Sequence, residues 1–131
     1  MHQRHALSLL FLLLSCGDGT GPRELRSFDA VNVGSDLLLM NGTDRPVFTI
    51  VVGRQIAAFI DWIACADPAL CDPIAPRTIR VVPHPRSSFD EKEALVFWWH
   101  AVTGPDGALR PDSIRHFIVR LDVLRPWLPS P

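Results

Sequence analysis

The sequence predicts an all-β protein, an antiparallel β-sandwich with one disulfide loop. The apolar segments beyond residue 27 are short and rich in Val, Ile, Phe and Trp, which favours strands over helices. Turn-forming residues separate them every 8–12 positions or so, the rhythm of sandwich strands. Twelve prolines and no tyrosine in 131 residues also fit a chain of many turns and short elements.

Taken from the start, residues 1–5 carry the basic side chain Arg4, and residues 6–14 form a continuous apolar run. A helix that spans a bilayer needs about 20 residues. The run instead has the length of the apolar region of a secretory signal, so residues 1–15 read as a signal peptide. Leu13, Leu14, Ser15 and Cys16 resemble the lipobox of bacterial lipoproteins. That resemblance covers residues 1–16. It implies cleavage before Cys16, a diacylglyceryl group on the Cys16 thiol, and acylation (palmitate) of the new amino group. Two or three acyl chains hold a protein durably where one holds it weakly. The implied location is the bacterial cell envelope, with the membrane as a partner through the lipid anchor. Residue 17 is Gly rather than Asp, which by the same resemblance favours the outer membrane over the inner. Residues 16–27 are Gly-rich and polar and read as the lipidated Cys and a flexible tether.

Cleavage before Cys16 leaves 116 residues, and residues 28–125 form the predicted sandwich domain, enough to bury a hydrophobic interior. Within it, residues 36–40 and 47–52 read as strands joined by the turn at residues 41–45, a hairpin with a longer loop. Residues 56–64 would tolerate a short helix, but flanking strands make a strand the preferred reading. Residues 78–82 read as a strand stopped by Pro83 and Pro85, and residues 84–92 as a polar loop. Residues 94–102 read as one long strand, apolar on both faces, suited to the centre of a sheet. Residues 103–108 carry Gly104, Pro105 and Gly107, a turn, and residues 113–121 return as a strand. Residues 126–131 are a Pro-rich tail. Six or seven such strands resemble an immunoglobulin- or fibronectin-like sandwich, with a small barrel as runner-up. The turn of Asn41, Thr43 and Pro46 is also similar to the start of secreted inhibitor-type sandwich domains, over a dozen residues.

With Cys16 assigned to lipid, Cys65 and Cys71 remain as an even pair in an exported chain. They read as a disulfide around Asp67 and Pro68, worth roughly 2 kcal/mol by loop-closure entropy. A metal pair would want further Cys or His at tight spacing. A redox dithiol would usually show a Cys-x-x-Cys spacing.

Bulk charge excludes one class of partner. The mature part carries 12 basic against 14 acidic side chains, which gives no electrostatic footprint for nucleic acid. No nucleophile elbow, zinc-protease helix or phosphate-cradling loop occurs, so no catalytic residue, metal ligand or cofactor is assigned. His84, His100 and His116 could converge on a metal, but spacings of 16 residues carry no local geometry, and ordinary strand histidines are the preferred reading. Asp61, Asp67 and Asp72, and Asp90, Glu91 and Glu93, read as turn and loop acids rather than a calcium site. Trp98 and Trp99 are neighbours on a strand, so one faces inward and the other outward. Trp62, Trp98, Trp99 and Trp127 are the candidate binding surface for a protein or glycan. The competing reading folds Trp127 back as a cover. Function then divides two ways: a lipid-anchored binding or structural module of the envelope, with protease inhibition as a variant, or an envelope hydrolase acting on glycan or peptide.

Overall fold

The computed structural model describes residues 27–122, and eight strands organise them. These are β1 (Phe28–Val33), β2 (Asp36–Asn41), β3 (Phe48–Gly53), β4 (Ile79–Pro83), β5 (Glu93–Trp99), β6 (Ala101–Thr103), β7 (Leu109–Pro111) and β8 (Arg115–Arg120). All pair antiparallel. One sheet has the order β1-β2-β4, the other β3-β5-β8, and β6 and β7 form a hairpin. Two antiparallel sheets of three strands, apolar on the sides that face each other, are the arrangement of a β-sandwich.

Alternation places the core between the sheets. Phe28, Ala30, Leu37 and Leu39 face Ala94, Val96, Trp98 and Val119, with Val47 and Ile74 closing one end. Burying a side chain such as Leu37 or Leu39 is worth about 2 kcal/mol. Strand β1 was not read from the sequence, although Gly34 and Ser35 between Val33 and Asp36 are turn residues; Gly34 adopts φ 63° there, a left-handed conformation that favours glycine.

Three sequence expectations are corrected. Residues 36–40 and 47–52 do not form a hairpin: β2 pairs with β1 and β4, while β3 pairs with β5. The 41–45 turn is a crossover between sheets, held by a buried asparagine. Asn41 Nδ2 donates to the carbonyls of Arg45, Ile74 and Ala75 (2.7, 3.0 and 3.2 Å), and its Oδ1 accepts from Thr43 N and Oγ1 (2.9 and 2.6 Å). Next to it, Val47 and Ile74 exchange backbone hydrogen bonds. Residues 94–102 are not one strand. The ladder breaks at His100, whose backbone N–H goes to Asp112 Oδ1 and whose ring Nδ1 donates to the Pro46 carbonyl; Ala101 then pairs with Pro111 of β7, which the sequence reading also missed. The third correction, at residues 56–64, belongs to the site described below.

The outward side of the β1-β2-β4 sheet is unusual. Its cross-strand rows are Asp29–Met40–Ile79, Val31–Leu38–Val81 and Val33–Asp36–Pro83. Ordinary antiparallel sheets are polar on the solvent side. Here seven of nine side chains are apolar, and Ile79 and Val81 are 55% and 59% exposed.

Asn41 is the polar hinge of the crossover. Asn41→Ala removes the amide that ties the Arg45, Ile74 and Ala75 carbonyls together and leaves a cavity at a fully buried position, and is expected to cost about 3 kcal/mol in denaturant unfolding. Asn41→Asp removes the same donors and is expected to cost as much, whereas Thr43→Ala costs about 1 kcal/mol.

Candidate functional site

The outward face of β3 and β5 is apolar too, and it is covered, whereas the same side of β8 carries exposed His116, Ile118 and Arg120. Phe48, Ile50 and Val52 of β3 stand opposite Trp99, Phe97 and Leu95 of β5. The connection from β3 to β4, residues 54–78, lies over this face. Its anchor is Trp62. The Trp62 ring stacks on Trp99 (centroids 5.7 Å, planes 17° apart) and packs against Phe97 at 4.8 Å. Phe48 stacks on Trp99 at 6.4 Å and 11°. The Trp99 indole Nε1–H donates to the Cys65 carbonyl at 2.8 Å, so its one polar atom is satisfied within the stack. Trp99 is 1% exposed as a result.

Residues 56–64 are therefore not a strand. A single 3-10 turn spans Ile56–Ala58, closed by Phe59 N–H on the Ile56 carbonyl, and the chain then runs without regular structure. The cause is Glu91. Its carboxylate accepts the backbone N–H of Gln55 and Ile56 (2.9 and 3.0 Å) and the Ser87 hydroxyl (3.0 Å), which turns the chain away from the ladder after Gly53. Gln55 Nε2 also donates to the Asp90 carbonyl, and Arg54 pairs with Glu93. Burial pushes the Glu91 pKa up, but the two backbone amides and the Ser87 hydroxyl hold it below the usual glutamate value.

A second brace follows. Cys65 and Cys71 form the expected disulfide, with Cα atoms 6.2 Å apart. Inside it, Asp67 makes the turn: its carbonyl accepts from Leu70 and Cys71, and its Oδ1 from Ala69. Arg80 ties the outgoing chain through the Asp72 and Pro73 carbonyls and the Asp72 carboxylate.

A connection pinned by a tryptophan stack, a carboxylate and a disulfide would be expected to turn apolar residues inward. Several point outward instead. Phe59 is 75% exposed, Ile63 91% and Leu70 80%. Phe59 stacks on Phe89 of the 84–92 loop at 5.9 Å, joining the two segments. The arrangement is a rigid frame presenting large apolar side chains, suited to contact with another apolar surface.

The tryptophans expected to share a surface are separated by the fold. Trp62 and Trp99 meet in the stack. Trp98 points the other way into the core, 5.6 Å from Phe28, with the Arg115 guanidinium 4.5 Å over its ring. Trp127 and Cys16 lie outside the described residues. The cover over Trp99 is the 54–78 connection. Phe59, Ile63 and Leu70 were not singled out in the sequence, and Glu91 was read only as a loop acid; the available signal was an apolar run open to both strand and helix that ends at a cysteine.

The histidines have separate partners. His84 Nε2 lies 2.6 Å from Asn32 Oδ1, His100 serves the β5–β6 break, and His116 packs on Phe97. Among the described residues no group of three His, Cys, Asp or Glu side chains is arranged to hold a metal. Several acids are committed to neighbouring cations: Asp106 to Arg110, Asp122 to Arg120, Asp90 to Lys92.

Gly53 leaves room for the Glu91 carboxylate: a Cβ there would collide with its Cγ and Cδ. Gly53→Ala is expected to cost roughly 1–2 kcal/mol in the wild-type chain and little in Glu91→Ala, a coupling read from a double-mutant cycle. Because the folded chain holds the Glu91 pKa low, its contribution is complete above the unfolded carboxylate range and is lost as pH falls through the folded value. Glu91→Gln should flatten the acid limb of a stability-versus-pH curve. Compared with protein-family models, with curated proteins and with solved structures, the chain finds no match.

Proposed function

We propose that this chain is a lipid-anchored protein of the bacterial cell envelope whose sandwich is a binding module, offering the 59–70 stretch to a protein partner. The observation that carries the binding half is the exposure of Phe59, Ile63 and Leu70 on a connection braced at three points. Exposed large apolar side chains are costly to keep in water and mark contact sites when they occur together. A braced frame loses little conformational entropy on association, so contact area converts into affinity more fully. A protein partner fits better than a glycan. Sugar rings stack on open indoles, whereas here Trp98 and Trp99 are interior, and the exposed groups are mainly aliphatic.

The anchoring half rests on the lipobox resemblance at Leu13–Cys16 and on the polar residues between it and the sandwich. Lipidation at Cys16 would hold the sandwich close to the membrane, where even a weak apolar contact gains from a high effective concentration.

Two measurements test the halves separately. Cys16→Ser is expected to move the chain from the membrane fraction to the soluble fraction; an unmodified Cys16 thiol or an uncut leader in the wild-type mass spectrum would refute the anchor. For binding, in-cell cross-linking of the wild-type chain is expected to give a discrete protein adduct that Ile63→Asp and Leu70→Asp both abolish with the thermal midpoint unchanged. A wild-type chain that yields no adduct, or adducts indifferent to both substitutions, would refute the binding surface.

A further inference from the structure

We propose that the open edge of β8 is a strand-addition site, which takes an extended, acidic segment of a protein partner as a further strand of the β3-β5-β8 sheet. β8 ends that sheet, and no described strand pairs with its far side. The ladder register tells which groups are left over. The Leu121 N–H donates to the Lys92 carbonyl, and Arg120 stands opposite Glu93. Bonded and non-bonded positions alternate along an antiparallel pair, so Arg115, Phe117 and Val119 bond to β5. The backbone N–H and C=O groups of His116, Ile118 and Arg120 therefore point away from it. Such a row of donors and acceptors along one strand is a template for another chain.

The other sheet edges are blunted. On β1 the Ala30 N–H faces away from β2, and the Asp29 carboxylate takes it at 2.8 Å. β4 ends on Pro83, which has no amide to give. β3 is prolonged by the Val47–Ile74 bridge, which closes one end of its edge. Residues 115–120 carry no proline and no acid.

The space beside β8 suits the same occupant. A groove of about 390 Å³ lies between β8 and β1, lined by Ala30, Phe117 and Val119 and by the charged Asp29 and Arg120. A strand added to β8 would run about 4.8 Å from it. Its alternate side chains would turn inward beside Phe117 and Val119, so those positions are apolar. The others would stand beside His116, Ile118 and Arg120. β8 offers Arg115, His116 and Arg120; Asp112 and Asp122 neighbour the two arginines but lie outside the strand, and an acid on the added strand completes the charge pairing. A second copy is the poorer occupant. Antiparallel self-pairing about Ile118 sets Arg120 against His116 and brings no acid to either strand. The site is separate from the 59–70 stretch and does not rest on it.

The test pans random decapeptides displayed on phage against the full wild-type chain and against Ile118→Pro. Proline at that position removes an edge amide and spares the β5 ladder. The expected winners alternate apolar and polar residues, include an acid, and bind the wild type several-fold more tightly than Ile118→Pro. As a synthetic peptide, the tightest is expected to slow hydrogen exchange at the His116, Ile118 and Arg120 amides, which exchange rapidly in the free chain. The proposal is overturned if no enriched peptide discriminates between the two chains, or if the discriminating peptide protects other amides instead. Slow exchange of those three amides in the peptide-free chain overturns it too, since the edge is then already paired: by the chain itself if the rate ignores concentration, by a second copy if it does not. If Ile118→Pro does not fold, the exchange footprint on the wild-type chain decides, and winners that leave the three amides unprotected overturn the proposal.

Discussion

The structure depends on covering Trp99. A sheet strand must put alternate side chains on opposite sides, so adjacent Trp98 and Trp99 cannot both enter one core. Trp98 joins the inter-sheet interior, and Trp99 is left on the outward face with an indole N–H that needs an acceptor. The chain answers with a second, thinner layer: Trp62 stacked on the ring and the Cys65 carbonyl on the nitrogen, with Phe48 of β3 stacked against Trp99 as well. The remaining features of the connection follow. Glu91 takes the amides that leave the ladder, and the Cys65–Cys71 disulfide stops the covering segment from opening just past its contact point.

Holding the connection down in this way also decides what it shows to solvent. A segment of about ten residues has one side to press on the sheet and one to turn away. Trp62 and the half-buried Ala64 and Cys65 take the inner side; Phe59, Ile63 and Leu70 are left outside. The order of cause runs from a tryptophan pair on one strand, through the packing that pair requires, to an exposed apolar group on a stiff support. That group is the basis of the proposed binding role.

Much of the fold was legible in the sequence because its cues are local. The short apolar runs at residues 47–52, 78–82 and 113–121, the Gly104–Gly107 turn and the even cysteine pair each act within a few positions, and the structure has all of them. What was not legible depends on partners far away in the chain. The 41–45 turn looks like a hairpin loop until Asn41 is seen to hold the Ile74 and Ala75 carbonyls, more than 30 positions on. The 56–64 stretch looks like a strand because its apolar residues are plentiful; Glu91 diverts it and Trp99 receives it, and both lie about 35 positions away. The tryptophans were legible as a group worth testing, but their separation into core and cover depends on which sheet face each one takes.

The central claim is that the Trp62 stack and the Cys65 carbonyl together seal Trp99. It is tested most directly by hydrogen exchange at the Trp99 indole Nε1–H, followed by NMR in the wild-type chain and in Trp62→Ala. The account predicts slow exchange in the wild type and a rise toward the free-indole rate in Trp62→Ala, with the β3 and β5 backbone amides still protected. Rapid exchange in the wild-type chain, or a rate that Trp62→Ala leaves unchanged, would contradict it.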